Sequence, residues 1–482
     1  MKQLISKFKS ASPAAKASMA LLFANLVLKG LSLISGPVFT RLMTTEQYGI
    51  VSTFISWQSM FSVIITLNLS QGVFNNGMLD FKENRDEFEL SLLAISSTLS
   101  IAFLLAFCLL KPLFVNMFEM PESLIYIMIL YFLVVPAYQF WSGRQRYEFK
   151  YKKLTILTIG SAVVSLIVGI VAVLLAGENN TAIARVCVME GVNIALGICF
   201  YIYLIIKAKF RVRLDYCVYA LKFNLPLLSH YLSMYVLSSS DRIMISKMIS
   251  TSATAIYSAA YTVASVINIV WQSIEASLSP WIYEKLSNND RNSVRKVTFD
   301  IVLLFAVLCL GSTLFAPEIM LILAPKSYST GVYVIPPVAA GVFFTAVYSL
   351  YMRIELYYKK TGFAAIATCI AAGVNILLNY IFIKIFGFIA AGYTTMACYI
   401  LLSLFHYFNV KRKGYDDILN NQGIFAISLI LIVATIAVST VYSYTIVRYV
   451  AIALFIVVTF FKREKIISLI KIKSGGVMSR DK

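Results

Sequence analysis

Fourteen apolar segments, each long enough to cross a lipid bilayer, follow one another along this 482-residue chain. A helix needs about 20 mainly apolar residues to cross the hydrocarbon core of a membrane. A soluble domain could bury one segment of that kind, but not fourteen. Charged residues make up only 13% of the chain, about half of the share that is usual in soluble domains. The sequence therefore predicts an all-α integral membrane protein.

The distribution of basic residues predicts how these spans are oriented. If the N-terminus is cytoplasmic, 33 of the 42 Lys and Arg residues fall on the cytoplasmic side, eight fall on the outer side, and Lys29 remains. Cytoplasmic loops of membrane proteins collect Lys and Arg, so we predict that both termini are cytoplasmic. The predicted spans, numbered 1 to 14, lie near residues 18–40, 49–71, 91–111, 122–142, 154–175, 182–206, 224–246, 254–278, 299–317, 332–353, 363–385, 388–409, 424–442 and 444–461.

An internal repeat emerges when the chain is compared with itself at an offset of 209 residues. Tyr48 then falls on Tyr257 and Arg144 falls on Arg353, which pairs spans 1, 2 and 4 with spans 7, 8 and 10. Chance similarity between hydrophobic helices is the alternative. Because the offset covers an even number of spans, the halves would be parallel and related by a pseudo-twofold axis along the membrane normal. The predicted parts are two six-helix bundles and a two-helix C-terminal appendix: residues 1–212, 213–413 and 414–482.

Composition excludes several other classes of protein. The net charge of +19 would suit nucleic acid, but cytoplasmic loops account for it and no soluble domain is available, so we expect no nucleic-acid partner. The seven cysteines include no Cys-x-x-Cys pair, so neither a disulfide framework nor a metal site is predicted. We find no phosphate-binding glycine loop or nucleophile triad, and we expect no enzyme activity. The first apolar run is long enough to remain as a span, so no cleavable signal peptide is predicted.

Several short motifs resemble one transporter family. Residues 41–49 read Arg-Leu-Met-Thr-Thr-Glu-Gln-Tyr-Gly, and residues 240–242 read Ser-Asp-Arg, followed by Ala-Ile-Tyr at 255–257. Residues 375–379 begin and end with Asn, and residues 387–392 begin and end with Gly. This set resembles the polysaccharide-biosynthesis flippases of the Wzx type, which share a superfamily with the MATE drug exporters and the lipid II flippases. The chain departs from the family pattern at position 255, where Ala replaces the usual Gly.

The resemblance implies a flippase that moves an undecaprenyl-pyrophosphate-linked oligosaccharide from the inner to the outer leaflet by alternating access. The cargo would be a repeat unit of an O-antigen of lipopolysaccharide, a capsule or an exopolysaccharide, and the location the bacterial cytoplasmic (inner) membrane. Its partners would be this lipid-linked oligosaccharide, membrane lipids, and the polymerase and chain-length machinery of the same pathway. No cofactor is implied; a proton gradient, a Na⁺ gradient or the membrane potential would supply energy.

Three alternatives remain open. A lipid II flippase would share the fold and a cationic cavity, and would differ only in its substrate. A MATE-type cation-coupled small-molecule exporter would have an acidic or apolar cavity instead. A membrane-embedded polysaccharide polymerase or ligase would need a large outer loop, whereas every predicted outer loop is short.

Basic residues inside the membrane are the first candidates for binding the substrate, because a charge in hydrocarbon is costly. Lys29 lies near the middle of span 1, and the resemblance offers an anionic pyrophosphate as its partner in a wet cavity. The alternative for Lys29 is a packing pair with Glu190 or Glu275. Snorkelling to the interface is the alternative role for three further candidates near outer span ends: Arg41, Arg185 and Arg242.

Acidic residues and a histidine inside the spans are candidates for ion coupling or structural pairing. They are Glu190, Asp241, Glu275 and His230. Glu275 lies deeper than interface anchoring requires, so it either couples transport to a cation or pairs with a basic residue. We expect a hydrogen-bonded packing role for His230, with a proton switch as the alternative. Asn375 and Asn379 share one helix face and are predicted to hydrogen-bond between helices.

Cysteine labelling in a cysteine-free background tests the predicted topology. Single cysteines near Asn179 and Ser327 should react with an impermeant maleimide added outside intact cells. Cysteines in the cytoplasmic loops should react only after the cells are opened; suitable positions lie near residues 150, 215, 290 and 412. Labelling from outside near Arg412 would overturn the predicted orientation.

Overall fold

The protein is helical throughout the part of the chain that the computed structural model describes, residues 13–359 and 362–461, with side chains placed from residue 20. Fourteen long helices in these ranges correspond one to one with the predicted spans, and no strand occurs there. Eleven of them are long and apolar enough to cross a membrane. Of the other three, two are long but more polar and one has 17 residues. The prediction of an all-α, multi-pass membrane fold is confirmed.

The chain divides into two compact units between Ala255 and Ile256. The described residues of the first unit form nine helices and the start of a tenth. The nine are α1 (Pro13–Leu42), α2 (Thr45–Thr66), α3 (Gly72–Asp80), α4 (Arg85–Leu109), α5 (Lys111–Phe118), α6 (Glu122–Tyr147), α7 (Tyr151–Leu175), α8 (Thr181–Lys207) and α9 (Leu214–Met248).

The second unit contains most of α10 and the helices that follow it. They are α10 (Thr251–Ser287), α11 (Arg291–Leu314), α12 (Ala316–Leu323), α13 (Ile335–Tyr357), α14 (Gly362–Phe386), α15 (Ala390–Arg412), α16 (Asn421–Thr440) and α17 (Thr445–Phe461). A 3₁₀ segment, Lys326–Tyr333, joins α12 to α13. The division into six-helix bundles, and their pseudo-twofold relation, stay predictions.

Local sequence signals set several helix ends. The Thr44 hydroxyl accepts a hydrogen bond of 3.2 Å from the backbone N–H of Gln47 at the start of α2. The Asp290 carboxylate accepts one of 3.1 Å from Ser293 at the start of α11. Such caps satisfy backbone donors that the first turn of a helix leaves unpaired. The short helices α5 and α12 carry proline in their first turn, where its missing N–H is harmless.

The helix of predicted span 2, α2, ends at Thr66, five residues before the predicted end of the span at residue 71. Leu67 and Asn68 both adopt left-handed backbone conformations, each with a φ of 49°. The buried Asn224 of α9 bridges the break: its Nδ2 donates to the Leu67 carbonyl at 2.6 Å, and its Oδ1 accepts from the Val73 N–H at 3.2 Å. Irregular backbone at membrane depth persists only where its polar groups find partners inside the protein. Asn224 supplies two of those partners.

The two units bury different kinds of core. The first packs aromatic rings between α2, α4, α5 and α6, with Phe54, Trp57, Phe107, Phe118 and Phe132 among the buried side chains. The second is organised around α13, which packs against α11, α15 and α16. In the most apolar window of α13, 89% of the residues are buried. A polar side chain on α13 therefore needs its partners inside the protein.

Gly49 allows a close backbone approach within the first unit. A Cβ at this position would lie 1.8 Å from the carbonyl oxygen of Thr251, so a larger residue cannot fit unless α2 and the start of α10 separate. Beside it, the hydroxyls of Thr45 and Ser252 are 3.3 Å apart and share a hydrogen bond. The glycine at the end of the 41–49 motif therefore has a packing role.

We predict that Gly49→Ala destabilises the purified protein by about 1–3 kcal/mol, because it overpacks this contact. Thermal unfolding in detergent measures the effect. Gly191→Ala in α8 is the matched control: it also lies inside a helix, but a Cβ there meets nothing within 4 Å. That control should be neutral or more stable by about 0.5–1 kcal/mol. Equal melting temperatures for the two variants would contradict the packing role.

Candidate substrate and ion-coupling site

Lys29 lies on an exposed face of α1. Asn25 and Ser32 are also exposed and, with Lys29, are spaced at i, i+4 and i+7, which places them on one side of the helix. The opposite side carries the buried Ala24, and α1 packs against α7. Within the described part of the first unit, no carboxylate forms an ion pair with Lys29. The ammonium therefore lies on a face that the first unit leaves open, between these two polar residues and the exposed Leu22 and Leu26.

Arg185 of α8 is half-buried and is held by groups that do not neutralise it. Its Nη1 donates to the Ser165 carbonyl at 3.2 Å, and the guanidinium lies 4.0 Å from the centroid of the Phe39 ring. Gly169 of α7 makes room, because a Cβ there would be 2.6 Å from Nη1. No carboxylate forms an ion pair with Arg185 among the described residues. Most of its N–H donors remain available for an anion.

Arg41 and Arg242 use the same local contact at the ends of two helices. Arg41 Nη1 donates to the Pro37 carbonyl and Arg242 Nη1 donates to the Ser238 carbonyl, each at 2.9 Å and each one turn back. Arg41 is exposed and lines a pocket of 370 Å³ together with Glu178. The local contacts fix both guanidinium groups near predicted outer helix ends.

The acidic candidates of the first unit are buried. Asp241 is fully buried in α9, beside Arg242 in sequence. Glu190 of α8 is also buried and accepts a hydrogen bond of 3.0 Å from Asn193 Nδ2. His230 is half-buried in α9, with its ring centroid 6.1 Å from that of Tyr231. Glu190, one of the two alternative partners considered for Lys29, is thus bonded to an amide.

Glu275, the other alternative partner, forms an ion pair inside the second unit. Both Nε and Nη2 of Arg353 donate to Glu275 Oε1, at 3.1 and 2.7 Å, which ties α10 to α13. Arg353 is the repeat equivalent that the sequence predicts for Arg144. In the first unit Arg144 likewise meets carboxylates: its Nε donates to Glu148 Oε1 at 2.8 Å, and its Nη1 lies 3.3 Å from Glu89 Oε2.

Asn375 and Asn379 lie fully buried on α14 and face α15. Asn375 Nδ2 donates to the Thr395 hydroxyl at 3.3 Å, and Asn379 Nδ2 donates to Asn375 Oδ1 at 3.2 Å. The Thr394 hydroxyl donates to Asn379 Oδ1. The two amides therefore join α14 to α15 through a short chain of hydrogen bonds.

Sequence reasoning missed two ion pairs in the second unit. Nη1 and Nη2 of Arg448 in α17 bind the two carboxylate oxygens of Glu318 in α12, at 2.9 and 2.8 Å. Glu355 of α13 hydrogen-bonds the ring of His406 in α15 at 2.9 Å. The cost of an ionisable group in a membrane singled out His230, and the same criterion applies to His406 inside predicted span 12. Its partner could not be read from the chain, because 51 residues separate the two.

The described side chains are better suited to binding an anion than to binding a metal ion. No group of three or more His, Cys, Asp or Glu residues in the described ranges has metal-binding geometry. The first unit instead holds two cations inside predicted spans, Lys29 and Arg185, that form no ion pair with a carboxylate among its described residues. Each of these cations can attract an anionic group by itself.

Solved structures define the fold class. The lipid II flippase MurJ in an inward closed conformation superposes with a TM-score of 0.68 at 18% identity, over 94% of this chain and 100% of MurJ. An inward-facing MATE multidrug transporter of the MOP superfamily gives 0.59 at 12% identity, over 82% of this chain and 98% of that protein. The chain thus has the fold that MurJ and the MATE transporters share.

Sequence comparison gives the family. The profile of the family described as "Polysaccharide biosynthesis protein" matches residues 14–285, more than half of the chain. The chain therefore belongs to this family, and the resemblance predicted from its motifs is confirmed. A relative from Haloferax volcanii, named "Probable low-salt glycan biosynthesis flippase Agl15", is 24% identical over 176 residues. That match covers 36% of this chain and 37% of the length of the relative.

A double-mutant cycle tests whether Glu275 and Arg353 act as a pair. Glu275→Gln or Arg353→Gln alone should lower stability by about 1–3 kcal/mol, a value between those of exposed and buried pairs. The double variant should lose less than the sum of the two, because it leaves no unpaired charge. Thermal unfolding in detergent measures all three variants.

The exposed pair Lys111–Glu122, at 2.7 Å, is the matched control, and its variants should change stability much less than those of Glu275 and Arg353. Strictly additive losses at Glu275 and Arg353 would contradict the pairing.

Proposed function

We propose that this protein is a flippase for an oligosaccharide carried on a polyprenyl pyrophosphate. It would move a repeat unit of an O-antigen, capsule or exopolysaccharide from the inner to the outer leaflet of the bacterial cytoplasmic membrane by alternating access. Membership of the polysaccharide biosynthesis family carries this proposal. The names of its relatives support it: Agl15 is described as a probable glycan-biosynthesis flippase and MurJ as a lipid II flippase.

The cations of the first unit fit the charged part of such a substrate. An ammonium at mid-membrane needs either water or a counter-charge, and Lys29 has no carboxylate within the described part of its unit. Asn25 and Ser32 beside Lys29 favour a wet surface there, while the exposed Leu22 and Leu26 make the same face partly apolar. A pyrophosphate would supply the counter-charge during transport, and water would supply the hydration before and after it.

Lys29 and Arg185 suit different parts of this task. A lysine ammonium is a compact point charge on a flexible stem, so it can follow a moving phosphate. An arginine presents a rigid fork of donors that favours one orientation, and Phe39 and the Ser165 carbonyl hold Arg185 in place. We therefore assign Lys29 to attracting the pyrophosphate, and Arg185 to a fixed contact at one stage of transport.

A lipid II flippase is the nearest second candidate, because the MurJ likeness covers 94% of the chain. Family membership favours a polysaccharide repeat unit over lipid II. A MATE-type exporter of organic cations is less compatible with the first unit, since unpaired cations repel a cationic substrate. An ion gradient or the membrane potential would drive the cycle in each case.

Substitution of Lys29 tests the proposed binding role in cells. In a strain that lacks the chromosomal gene, Lys29→Ala should reduce export of the polysaccharide about tenfold or more and trap lipid-linked repeat units inside. Lys29→Arg should retain part of the activity, because a point contact needs charge more than shape. Lys29→Glu should be worse than Lys29→Ala, since it repels the pyrophosphate.

Lys384→Ala in α14 is the matched control. Lys384 also lies in a membrane helix, but its ammonium is 3.8 Å from the centroid of the Tyr380 ring near a predicted outer helix end. This variant should export normally, and immunoblots of membranes should show equal amounts of every variant. Full activity of Lys29→Ala would contradict the role of Lys29.

A further inference from the structure

The second unit buries a glutamate–histidine pair that substrate binding, as proposed above, does not use. His406 Nδ1 and Glu355 Oε2 are 2.9 Å apart, and Asn409 Nδ2 donates to Glu355 Oε1 at 2.6 Å. The side chains of His406 and Glu355 are only 1% and 2% exposed. No lysine or arginine forms an ion pair with Glu355 among the described residues. Among the described residues, the imidazole is the only titratable group bonded to this carboxylate.

Aromatic rings close the site around the imidazole. Tyr348 of α13 is stacked on His406 with the centroids 5.8 Å apart, and Phe363 of α14 meets the ring edge-on at 6.4 Å. His406 Nε2 is buried and has no hydrogen-bond partner among the described residues. A buried polar atom without a partner is rare and calls for an explanation. Here Nε2 is the ring atom that remains for exchange with water, because Nδ1 is engaged by Glu355.

Other ionisable groups on the packed helices have partners elsewhere. Arg353 of α13 is paired with Glu275 of α10. Tyr351 of α13 donates to Asn421 Oδ1 at the start of α16, at 2.8 Å. Arg291 at the start of α11 forms an ion pair with Asp417 at 2.7 Å and also contacts Tyr358, the residue that follows α13. The 3₁₀ segment precedes the first residue of α13, whereas Glu355 lies near its last.

This geometry leaves a proton as the counter-charge of Glu355. A carboxylate buried inside a protein is unfavourable unless a positive charge neutralises it. With a proton on the imidazole, Nδ1–H donates to Oε2 and the pair is neutral as a whole. Without that proton, the pair would hold a net negative charge in an enclosed site. We infer that Glu355 and His406 form a proton-binding site, occupied while α13 and α15 enclose it.

The other ion pairs of the second unit differ from Glu355–His406 in that they cannot exchange a proton. Glu275 and Glu318 are neutralised by Arg353 and Arg448. The guanidinium of arginine does not release a proton in proteins, so those pairs are permanent charges. Only the imidazole can gain and lose its charge near neutral pH. A movement of α15 against α13 that admits water would release the proton through Nε2.

This site would make the proton the coupling ion of transport, a step that rests on the flippase function proposed above. Each cycle would close the site around one proton and open it to release that proton. A proton gradient would then bias the direction of the cycle. The proton-binding site itself does not depend on the identity of the substrate.

Nuclear magnetic resonance of the full chain tests proton binding without any substrate. The chain has two histidines, so histidine-selective ¹⁵N labelling in lipid nanodiscs gives two rings, and His230→Phe assigns them. We expect the His406 ring to carry protons on both nitrogens while it is bonded to Glu355. Glu355→Gln keeps the shape and removes the charge, and it should convert His406 to the neutral ring. If the His406 ring of the unsubstituted protein is neutral at every pH at which the protein stays folded, the proposed proton-binding site is wrong.

Proteoliposomes test the coupling role. The probe is a fluorescent polyprenyl-pyrophosphate-linked N-acetylglucosamine, whose flipping is followed with and without a pH gradient. The gradient should change the flipping rate of the unsubstituted protein several-fold, and Glu355→Gln and His406→Gln should abolish that response. The control Glu318→Gln removes a carboxylate whose partner is arginine, and it should keep the response.

The possible outcomes separate the two proposals. A full response to the gradient in Glu355→Gln would overturn the coupling role. Absence of flipping by the unsubstituted protein would count against the proposed function, while the resonance experiment would still decide the proton site.

Discussion

A hydrocarbon environment does not hydrate charge, and the placement of ionised side chains follows from that constraint. The second unit meets it by pairing. Glu275, Glu318 and Glu355 each have a basic partner on another helix. The first unit likewise pairs Arg144 with Glu89 of another helix, but its Lys29 and Arg185 form no ion pair with a carboxylate among the described residues. Paired charges hold helices together, whereas a cation without an ion pair can receive an anion.

The sequence predicted the spans well because their signal is local. Each helix satisfies its own backbone hydrogen bonds, so about 20 apolar residues are enough to identify it. The same locality explains why Lys29 stood out, since a single charge inside an apolar run needs no structural context. It also explains why the motif at residues 41–49 indicates the family without knowledge of any contact.

Partners could not be predicted, because they depend on which helices pack together. Glu275 was a candidate for ion coupling or for pairing, and only the packing of α10 against α13 shows Arg353 beside it, 78 residues away. The early end of α2 is another case. The backbone there is bonded by Asn224, which lies more than 150 residues further along the chain.

A transporter has to release what it binds. This limits how tightly any site can hold the substrate or the coupling ion. The Arg353–Glu275 pair, with two donors on one oxygen, is suited to permanence. In the Glu355–His406 pair one hydrogen bond joins the carboxylate to the ring, and Nε2 has no partner among the described residues, so the proposed site can release its proton when water enters. Lys29 occupies the other extreme, because its ammonium has no fixed ionic partner in the described part of its unit. A cation such as Lys29 suits an anion that is held weakly, and the Glu355–His406 pair suits a proton that is exchanged. The paired Arg353 and Arg448 hold the surrounding helices in place while these ligands bind and leave.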